Sequence, residues 1–358
     1  MKKTTLFALF LLISHQNFAQ KTENLFFIMT DGLRWQEVFQ GIDSTLLQEP
    51  KFVRNKEKLL QTFGGKTSKE SREKLLPFLW NTIAPNGQIY GNRAKGNRMN
   101  VLNPYWFSYP GYNEVLTGFA DDKINSNDKI WNENITFLET LNNNASFKDK
   151  VAAFATWEVI PYIINEERTK IPVNAGLEPI GEPNEKEKLI NDIQRIYPSL
   201  ASNRHDFITY FAAKSYIEKK EPSVLFLSFD ETDEFGHESK YDEYLFAANT
   251  FDKFVNELWN YCQNHPKYKD KTTFILTTDH GRGDKSKNQW TSHGSRVSDS
   301  YQIWAAFIGP SVPALGEIGN SNTILYHNQL AQTALSILGI NEKPNPQSGQ
   351  PIDAVLGK

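Results

Sequence analysis

Short apolar runs recur along the chain and predict the strands of a central sheet. Five of them are nearly continuous in hydrophobic residues rather than alternating: Leu25–Thr30, Val151–Ala155, Val224–Phe229, Thr273–Thr278 and Ile303–Ile308. Strands buried on both faces have this pattern, because none of their positions points to water. The runs therefore predict an α/β fold with a mostly parallel central sheet and helices on both faces.

Longer segments with one polar face lie between these runs and predict helices. They are Ser68–Leu79, Glu185–Ile196, Asp206–Lys219, Asp242–Cys262 and Asn328–Leu338. The last of them stops at Gly339, a residue type suited to a helix C-terminus. Two long polar connections, near residues 40–100 and 156–205, are expected to be cap-like insertions in a single catalytic domain of residues 21–358.

The first twenty residues have the pattern of a secretory signal peptide. Lys2 and Lys3 precede the apolar stretch 6–13, and Ala19 offers a cleavage point. The apolar stretch is shorter than the roughly 20 residues that span a bilayer, and no later segment is long enough. We expect an exported protein, periplasmic or extracellular, without a membrane span.

Composition narrows the classes of function. The chain has 358 residues, of which 39% are hydrophobic and 23% charged, as in ordinary soluble globular proteins. Its formal net charge of −3 is unlike the basic surface of a nucleic-acid scaffold, so we expect no such partner. Cys262 is the single cysteine, which excludes an intramolecular disulfide. The oligomeric state stays open.

Three of the apolar runs end in acidic residues. Asp31 follows the first run, Asp230 and Asp233 follow the third, and Asp279 follows the fourth. Ligands of open α/β sheets bind beyond the carboxyl ends of the strands, so we expect these acids to converge on one crevice. Their mutual repulsion there would require cations. A single aspartate after a strand, in contrast, is often only a cap or a turn residue.

Histidines accompany these acids along the chain, namely His237, His280 and His293. Imidazole together with carboxylate favours Zn²⁺, whereas sites made only of oxygen favour Mg²⁺ or Ca²⁺. The other histidines beyond the signal segment have no acidic motif beside them and are interpreted as surface or core residues: His205, His265 and His327.

Ser108 is the candidate nucleophile. It is followed by Tyr109-Pro110-Gly111-Tyr112 and then by the helix-like segment Asn113–Leu116. A hydroxyl at a helix N-terminus lies near backbone N–H groups that favour a phosphate anion. Its proton is held tightly at neutral pH, so a base or a metal must activate it. The alternative is that Ser108 only caps the helix.

Together these segments resemble the alkaline phosphatase superfamily, and most closely its type I phosphodiesterase and nucleotide pyrophosphatase branch. The matching elements, in order, are Met29-Thr30-Asp31-Gly32, the Ser108 segment, Asp233-x-x-Gly236-His237, Asp279-His280-Gly281 and Ser292-His293-Gly294. Their order and relative spacing agree from residue 24 to about 295. Each motif is weak alone, but five in this order are specific.

This resemblance implies a phosphohydrolase with two Zn²⁺ ions, roughly 3.5–4 Å apart as in other two-metal sites. Asp233, His237 and His293 would hold one ion. Asp31, Asp279 and His280 would hold the other, with Ser108 on the same ion. Ser108 would form a covalent phosphoserine intermediate, which water then hydrolyses. The substrate would be a small-molecule phosphate monoester or diester. Asp230 is interpreted as a strand-end residue or a hydrogen-bond partner of the ligands.

The chain departs from this branch next to the nucleophile. The branch usually has Asn three residues after the nucleophile, to hold a phosphoryl oxygen, and this chain has Gly111. Another residue is predicted to take over that role, and the candidates are Asn103, Arg98, Lys95 or Arg282. Arg is the natural clamp for a doubly charged monoester, and a solvated surface position is the alternative for Arg282. Trp290 is expected to stack on a substrate or to pack against the core.

Two other functions stay open. Sulfatases share the fold, and Ser108-x-Pro110 resembles the motif around their modified residue. That motif also needs Arg where this chain has Tyr112, and sulfatases use a mainly carboxylate calcium site. The second alternative is a catalytically silent secreted binding protein of the same fold. It would be favoured by a missing ligand or nucleophile, and none is missing.

Overall fold

Two β-sheets are present in residues 21–181, 183–196 and 203–358, which are the residues that the computed structural model describes. The larger sheet has the strand order β10-β2-β9-β7-β1-β6-β4-β5, and the smaller one has the order β11-β3-β8. The strands are β1 Asn24–Thr30, β2 Gly87–Tyr90, β3 Arg98–Asn100, β4 Val151–Ala155, β5 Val173–Ala175, β6 Val224–Phe229, β7 Thr272–Thr277, β8 Gln302–Ile303, β9 Ala305–Ile308, β10 Gly316–Glu317 and β11 Ile324–Tyr326.

The helices surround the larger sheet. They are α1 Trp35–Gln40, α2 Lys56–Phe63, α3 Ser68–Leu75, α4 Ala84–Asn86, α5 Ser108–Thr117, α6 Phe137–Asn143, α7 Ile160–Ile164, α8 Glu166–Thr169, α9 Glu185–Ile196, α10 Asp206–Lys220, α11 Glu231–His237, α12 Tyr241–Asn264 and α13 Leu330–Ile337. Short 3₁₀ turns at Gln289–Thr291 and His327–Gln329 also border the region described below as the candidate site.

The prediction of a mostly parallel sheet covered on both faces is confirmed. Strands β7, β1, β6, β4 and β5 pair in parallel, while β9 runs antiparallel to its neighbours β7 and β2. Alternate side chains of β1 enter two separate buried clusters. Phe26 and Ile28 pack with residues of α10 and α12, and Phe27 packs on the opposite face with residues of α5, α6 and α13. This two-sided burial explains why the strand sequences are continuously apolar.

Two predicted elements have different bounds. The run 303–308 forms two strands in different sheets, because the chain crosses between the sheets at Trp304, whose Nε1 donates to the carbonyl of Leu33 at 3.0 Å. The helix predicted over 68–79 ends at Leu75. Pro77 follows two residues later and disfavours helical backbone at the residue before it.

The two long connections contribute strands to the larger sheet as well as helices. In the first, residues 40–100, strand β2 pairs with β9; in the second, residues 156–205, strand β5 pairs with β4. Neither connection is therefore only a cap. The predicted signal peptide, residues 1–20, lies outside the described residues. Within the described part of the chain, no helix combines the length and the apolar character needed to cross a bilayer.

Candidate active site

Acidic residues converge at the carboxyl ends of three adjacent strands. Strand β1 is flanked by β6 and β7, and Asp31 follows it directly. Asp233 lies in α11, which begins two residues after β6, and Asp279 lies two residues after β7. Their side chains are between 0% and 13% exposed. The structure thus brings together the acids that the sequence predicted would share a crevice.

Asp31, Asp279 and His280 form what we call the inner cluster. The His280 Nε2 atom lies 3.3 Å from Asp31 Oδ1 and 3.3 Å from Asp279 Oδ2. His280 Nδ1 lies 2.9 Å from the carbonyl oxygen of Gly281, to which it donates, and this leaves Nε2 free to face the acids. Both carboxylate oxygens of Asp31 and Oδ2 of Asp279 are buried, and none of the three accepts a hydrogen bond from the described residues.

Asp233, His237 and His293 form the outer cluster. Nε2 of His237 lies 2.9 Å from Nε2 of His293 and 3.1 Å from Asp233 Oδ2. Nε2 of His293 lies 3.7 Å from Asp233 Oδ1. The two clusters are joined by His280, whose Nε2 is 4.0 Å from Asp233 Oδ1, and Asp233, His280 and His293 also form a compact donor group. The side chain of His237 is 46% exposed, so the outer cluster opens to solvent.

The electrostatics of both clusters fit cation sites. Burial, and after it the charge of Asp233, raises the pKa of Asp31. Burial and the charge of Asp31 raise the pKa of Asp279 well above its usual range. For Asp233, burial acts in the same direction, but the positive charge of Arg282 outweighs it and holds the pKa well below its usual range. A bound cation would stabilise the ionised form of the buried carboxylates whose pKa is raised. The three Asp and three His of the two clusters are residue types that bind Zn²⁺.

Ser108 is the first residue of α5 and its side chain points to the inner cluster. Its Oγ lies 3.5 Å from Nε2 of His280, and the residue is 6% exposed. The helix N-terminus offers fewer free donors than predicted. The N–H of Tyr109 donates to Asn127 Oδ1, the N–H of Gly111 donates to the carbonyl of Phe107, and Pro110 has no N–H. As far as the described residues show, the N–H of Ser108 itself is the one donor of the first turn left for a phosphate oxygen.

Gly111 replaces the branch's usual Asn because the helix packs tightly on the strand end that carries the inner cluster. A Cβ at residue 111 would lie 2.5 Å from the carbonyl oxygen of Asp279, which is closer than real Cβ contacts allow. A side chain here would therefore push α5 away from β7. The absence of Asn at this position is a consequence of packing.

We expect Gly111→Ala to lower the free energy of unfolding by about 1–3 kcal/mol, because it overpacks a closed contact. Urea denaturation of the two proteins measures this difference. Gly181→Ala is the control, since a Cβ there meets no atom within 4 Å, and it should change stability by less than about 0.5 kcal/mol. Equal stabilities for Gly111→Ala and the parent protein would contradict the packing explanation.

Arg282 is buried, so the alternative of a solvated surface position is wrong. Its side chain is 0% exposed, and it forms an ion pair with Asp233. Its Nε and Nη2 donate to the carbonyls of Trp290 and Thr291, at 2.6 and 2.8 Å. Arg282 therefore fastens the turn that precedes His293 to a carboxylate of the outer cluster. Gly32, with a φ of +62°, leaves room for this pair, because a Cβ there would lie 2.6 Å from Asp233 Oδ1.

The other predicted substrate contacts also have different partners in the structure. Asn103 is 1% exposed and donates through Nδ2 to Glu114 at 2.9 Å. Lys95 forms an ion pair with Glu317 at 2.7 Å. Arg98 is an exposed residue of β3, in the smaller sheet. Among the described residues, no hydrogen bond joins any of these three side chains to Ser108.

Trp290 packs against the core, which was the second of its two predicted positions. It is 1% exposed, and its ring meets those of Phe52, Tyr241 and Tyr244 edge-on, at centroid distances of 5.2–5.6 Å. It cannot stack on a substrate in this position.

Residues that were not singled out as site residues also border the site. His327 is fully buried, and its Nε2 donates to the carbonyl of Thr278 at 2.7 Å, directly before Asp279. Burial lowers the pKa of His327 to about 3, so the ring is neutral. Asp230 accepts from Nδ2 of Asn203 at 2.7 Å. The sequence could not distinguish His327 from His205 and His265, because none of the three has an acidic motif beside it. In the structure His205 and His265 are half-buried.

Comparisons with known proteins identify the family and the fold of the chain. Residues 44–299 match the family described as type I phosphodiesterase / nucleotide pyrophosphatase. No curated protein sequence matches the chain. Alkaline phosphatase PafA is similar in structure, with a TM-score of 0.62 at 11% identity over 94% of this chain and 99% of that chain. The lipoteichoic acid synthase LtaP from Listeria monocytogenes has a TM-score of 0.58 at 12% identity, covering 94% of this chain and 76% of its own. A 2-O GAG sulfatase has a TM-score of 0.61 at 14% identity, covering 94% and 74%.

The structural similarities at these identities show a shared fold, and the family match covers most of the chain. The resemblance inferred from the five motifs is therefore confirmed. The family and the fold are those of metal-dependent hydrolases that act on phosphate or sulfate esters. This chain belongs to the type I phosphodiesterase / nucleotide pyrophosphatase family.

Proposed function

We propose that the chain is an exported two-zinc hydrolase of phosphate esters with Ser108 as its nucleophile. The observation that carries this proposal is the position of Ser108 Oγ, 3.5 Å from Nε2 of His280, at the edge of the inner cluster. A residue that only capped a helix would not need to face a group of unpartnered carboxylates. Export, by removal of residues 1–20 from one catalytic domain of residues 21–358, is part of the same proposal.

The residues present fit two Zn²⁺ ions, one in each cluster. Asp31, Asp279 and His280 would hold one ion together with Ser108, and Asp233, His237 and His293 would hold the other. When bound, the two ions would supply Lewis-acid charge to the transferred group and lower the pKa of the nucleophile's hydroxyl. Arg282 and the Gly281 carbonyl orient the protein ligands through Asp233 and His280.

In the proposed reaction Ser108 Oγ forms a bond to phosphorus while the ester P–O bond breaks, and the hydroxyl proton leaves with the alcohol product. The oxygen of a water molecule then forms a bond to phosphorus while the Oγ–P bond breaks; one proton of the water returns to Ser108 Oγ, and the phosphate product is released. The nucleophile starts from a buried position, so bulk water competes poorly for the same phosphorus.

We further propose a preference for diesters over monoesters. A monoester dianion needs an additional cationic clamp, and the cationic candidates Arg282 and Lys95 are both engaged in ion pairs with acids. Arg98 lies in the smaller sheet. A diester carries a single negative charge and does not need this clamp.

The first experiment is metal content by mass spectrometry, combined with hydrolysis of p-nitrophenyl phosphate, bis-p-nitrophenyl phosphate and p-nitrophenyl sulfate. We expect two zinc ions per chain and faster hydrolysis of the diester than of the monoester. A faster monoester rate would refute the diester preference alone. Calcium with sulfate-ester turnover would replace the proposal by a sulfatase. Bound metal with all three substrates untouched would favour a silent binding protein.

A further inference from the structure

Glu114 is a completely buried carboxylate in the middle of the helix that begins with Ser108. It is 0% exposed, and its two oxygens accept hydrogen bonds from three backbone N–H groups and one side-chain amide. The donors are the N–H groups of Leu102, Asn103 and Asn328 and the Nδ2 of Asn103, at distances of 2.8–3.1 Å. No cation is among these partners. Burial of a carboxylate costs free energy. Here the hydrogen bonds that the carboxylate accepts hold two other segments of the chain in place, one at Leu102 and Asn103 and one at Asn328.

The hydrogen bonds continue from Glu114 to the nucleophile through Asn103. While the Nδ2 of Asn103 donates to Glu114, its Oδ1 accepts the N–H groups of Tyr105 and Trp106, at 3.0 and 3.2 Å. Trp106 has a φ of +54°, which is uncommon for a bulky residue. Such a conformation persists only when its surroundings hold it. The next residues, Phe107 and Ser108, are the N-cap and the first residue of α5.

Glu114 also contacts the opposite side of the site. Asn328, one of its donors, belongs to the turn His327–Gln329, in which His327 donates to the carbonyl of Thr278 beside Asp279. The loop ordered by Asn103 faces the outer cluster as well, because the Tyr105 carbonyl is 3.8 Å from the position of a Cβ on Gly294, next to His293. Loop 102–106, helix α5 and the 327–329 turn are therefore joined at one carboxylate.

We propose that Glu114 is a positioning residue, which fixes the entry of the chain into Ser108 by holding Asn103. This inference rests on the proposed role of Ser108 as nucleophile. Glu114 itself touches no reacting atom. Its effect is geometric, and small displacements of a nucleophile are costly because the attack requires close alignment.

The test is Glu114→Gln, assayed at pH 8.5. The Gln side chain has nearly the same shape as Glu, but it has only one acceptor oxygen. Its NH2 group would face backbone N–H groups, which are also donors and cannot bond to it. We expect kcat for bis-p-nitrophenyl phosphate to fall about 10- to 100-fold with KM changed by less than about twofold. Metal content should stay at the parent level. Amide hydrogen exchange of residues 102–108 should rise about tenfold.

Asp252→Asn is the matched control. Asp252 is 3% exposed and accepts the N–H groups of Phe78 and Leu79, at 2.8 and 2.9 Å. Phe78 and Leu79 belong to a different core cluster from the α5 residues that follow Ser108. Burial raises the pKa of both carboxyls to about 7, so both are ionised at pH 8.5. The control should leave kcat and the exchange of residues 102–108 unchanged, although it removes a comparable acceptor.

Asn103→Ala is the second variant, for the case that Glu114→Gln does not fold. It removes the link between Glu114 and the N–H groups of Tyr105 and Trp106, and should reproduce the loss of kcat. A kcat for both variants equal to that of Asp252→Asn, or unchanged exchange at residues 105–108, would overturn the inference. If the parent protein hydrolyses no ester, the proposed function fails, and the exchange measurement alone decides whether Glu114 positions this segment.

Discussion

Replacement of Ser108 by Ala is expected to reduce kcat/KM for the preferred phosphate ester by at least about 10³-fold, the scale seen when a catalytic nucleophile is removed. The reason is that the Oγ atom near His280 is the proposed attacking atom, and among the hydrogen bonds of the described residues no other hydroxyl contacts the ring Nε2 of His280. The measurement is steady-state hydrolysis of bis-p-nitrophenyl phosphate, with zinc content determined on the same samples.

Metal content separates two roles of Ser108. Both clusters keep all of their carboxylate and imidazole ligands in the variant, so zinc should stay near the parent level. Ser146→Ala is a suitable control, because Ser146 is exposed and outside the site. Near-normal turnover in Ser108→Ala would remove the serine mechanism. Loss of both turnover and zinc would instead make Ser108 essential for holding metal.

His293→Ala is expected to remove one of two zinc ions and to lower kcat/KM by at least about 10²-fold, since loss of a direct ligand should exceed the effect of losing an orienting partner. His293 is close to both His237 and Asp233 in the outer cluster, and without it only two side chains of that cluster would converge. Mass spectrometry of the purified variant should give one zinc per chain.

The inner cluster should survive this substitution, because His293 supplies none of its members. His265→Ala is the matched control, as His265 is a partly exposed histidine whose ion-pair partner is Glu221. It should keep two zinc ions and parent activity. Unchanged zinc content in His293→Ala would exclude His293 from the ligands, and loss of both ions would show that the clusters fill only together.

The sheet and the place of its acids were predictable from sequence. Buried parallel strands leave a continuous apolar pattern, and the first polar residues after them must lie at one edge of the sheet. Asp31 and Asp279 were found in this way. The break at Trp304 was not, because both halves of the run 303–308 are apolar and only the tertiary structure assigns them to different sheets.

The substrate contacts could not be predicted in the same manner. A sequence shows that Arg282 and Asn103 carry donors but not which acceptors already occupy them. Both residues use those donors inside the protein, on Asp233 and on Glu114. The same holds for Trp290, whose aromatic type suits both a cleft and a core. Burial decides between these, and burial depends on contacts far apart in the chain.

The unequal exposure of the two clusters has a consequence for how the protein would respond to metal supply. Asp31, Asp279 and His280 have side chains no more than 1% exposed, whereas His237 is 46% exposed. An ion in the outer cluster would exchange with its surroundings faster than one enclosed in the inner cluster. When zinc is scarce, the proposed two-zinc enzyme would therefore persist in a half-loaded form that keeps its inner ion. Turnover would resume when a single ion returned, without refolding or new synthesis.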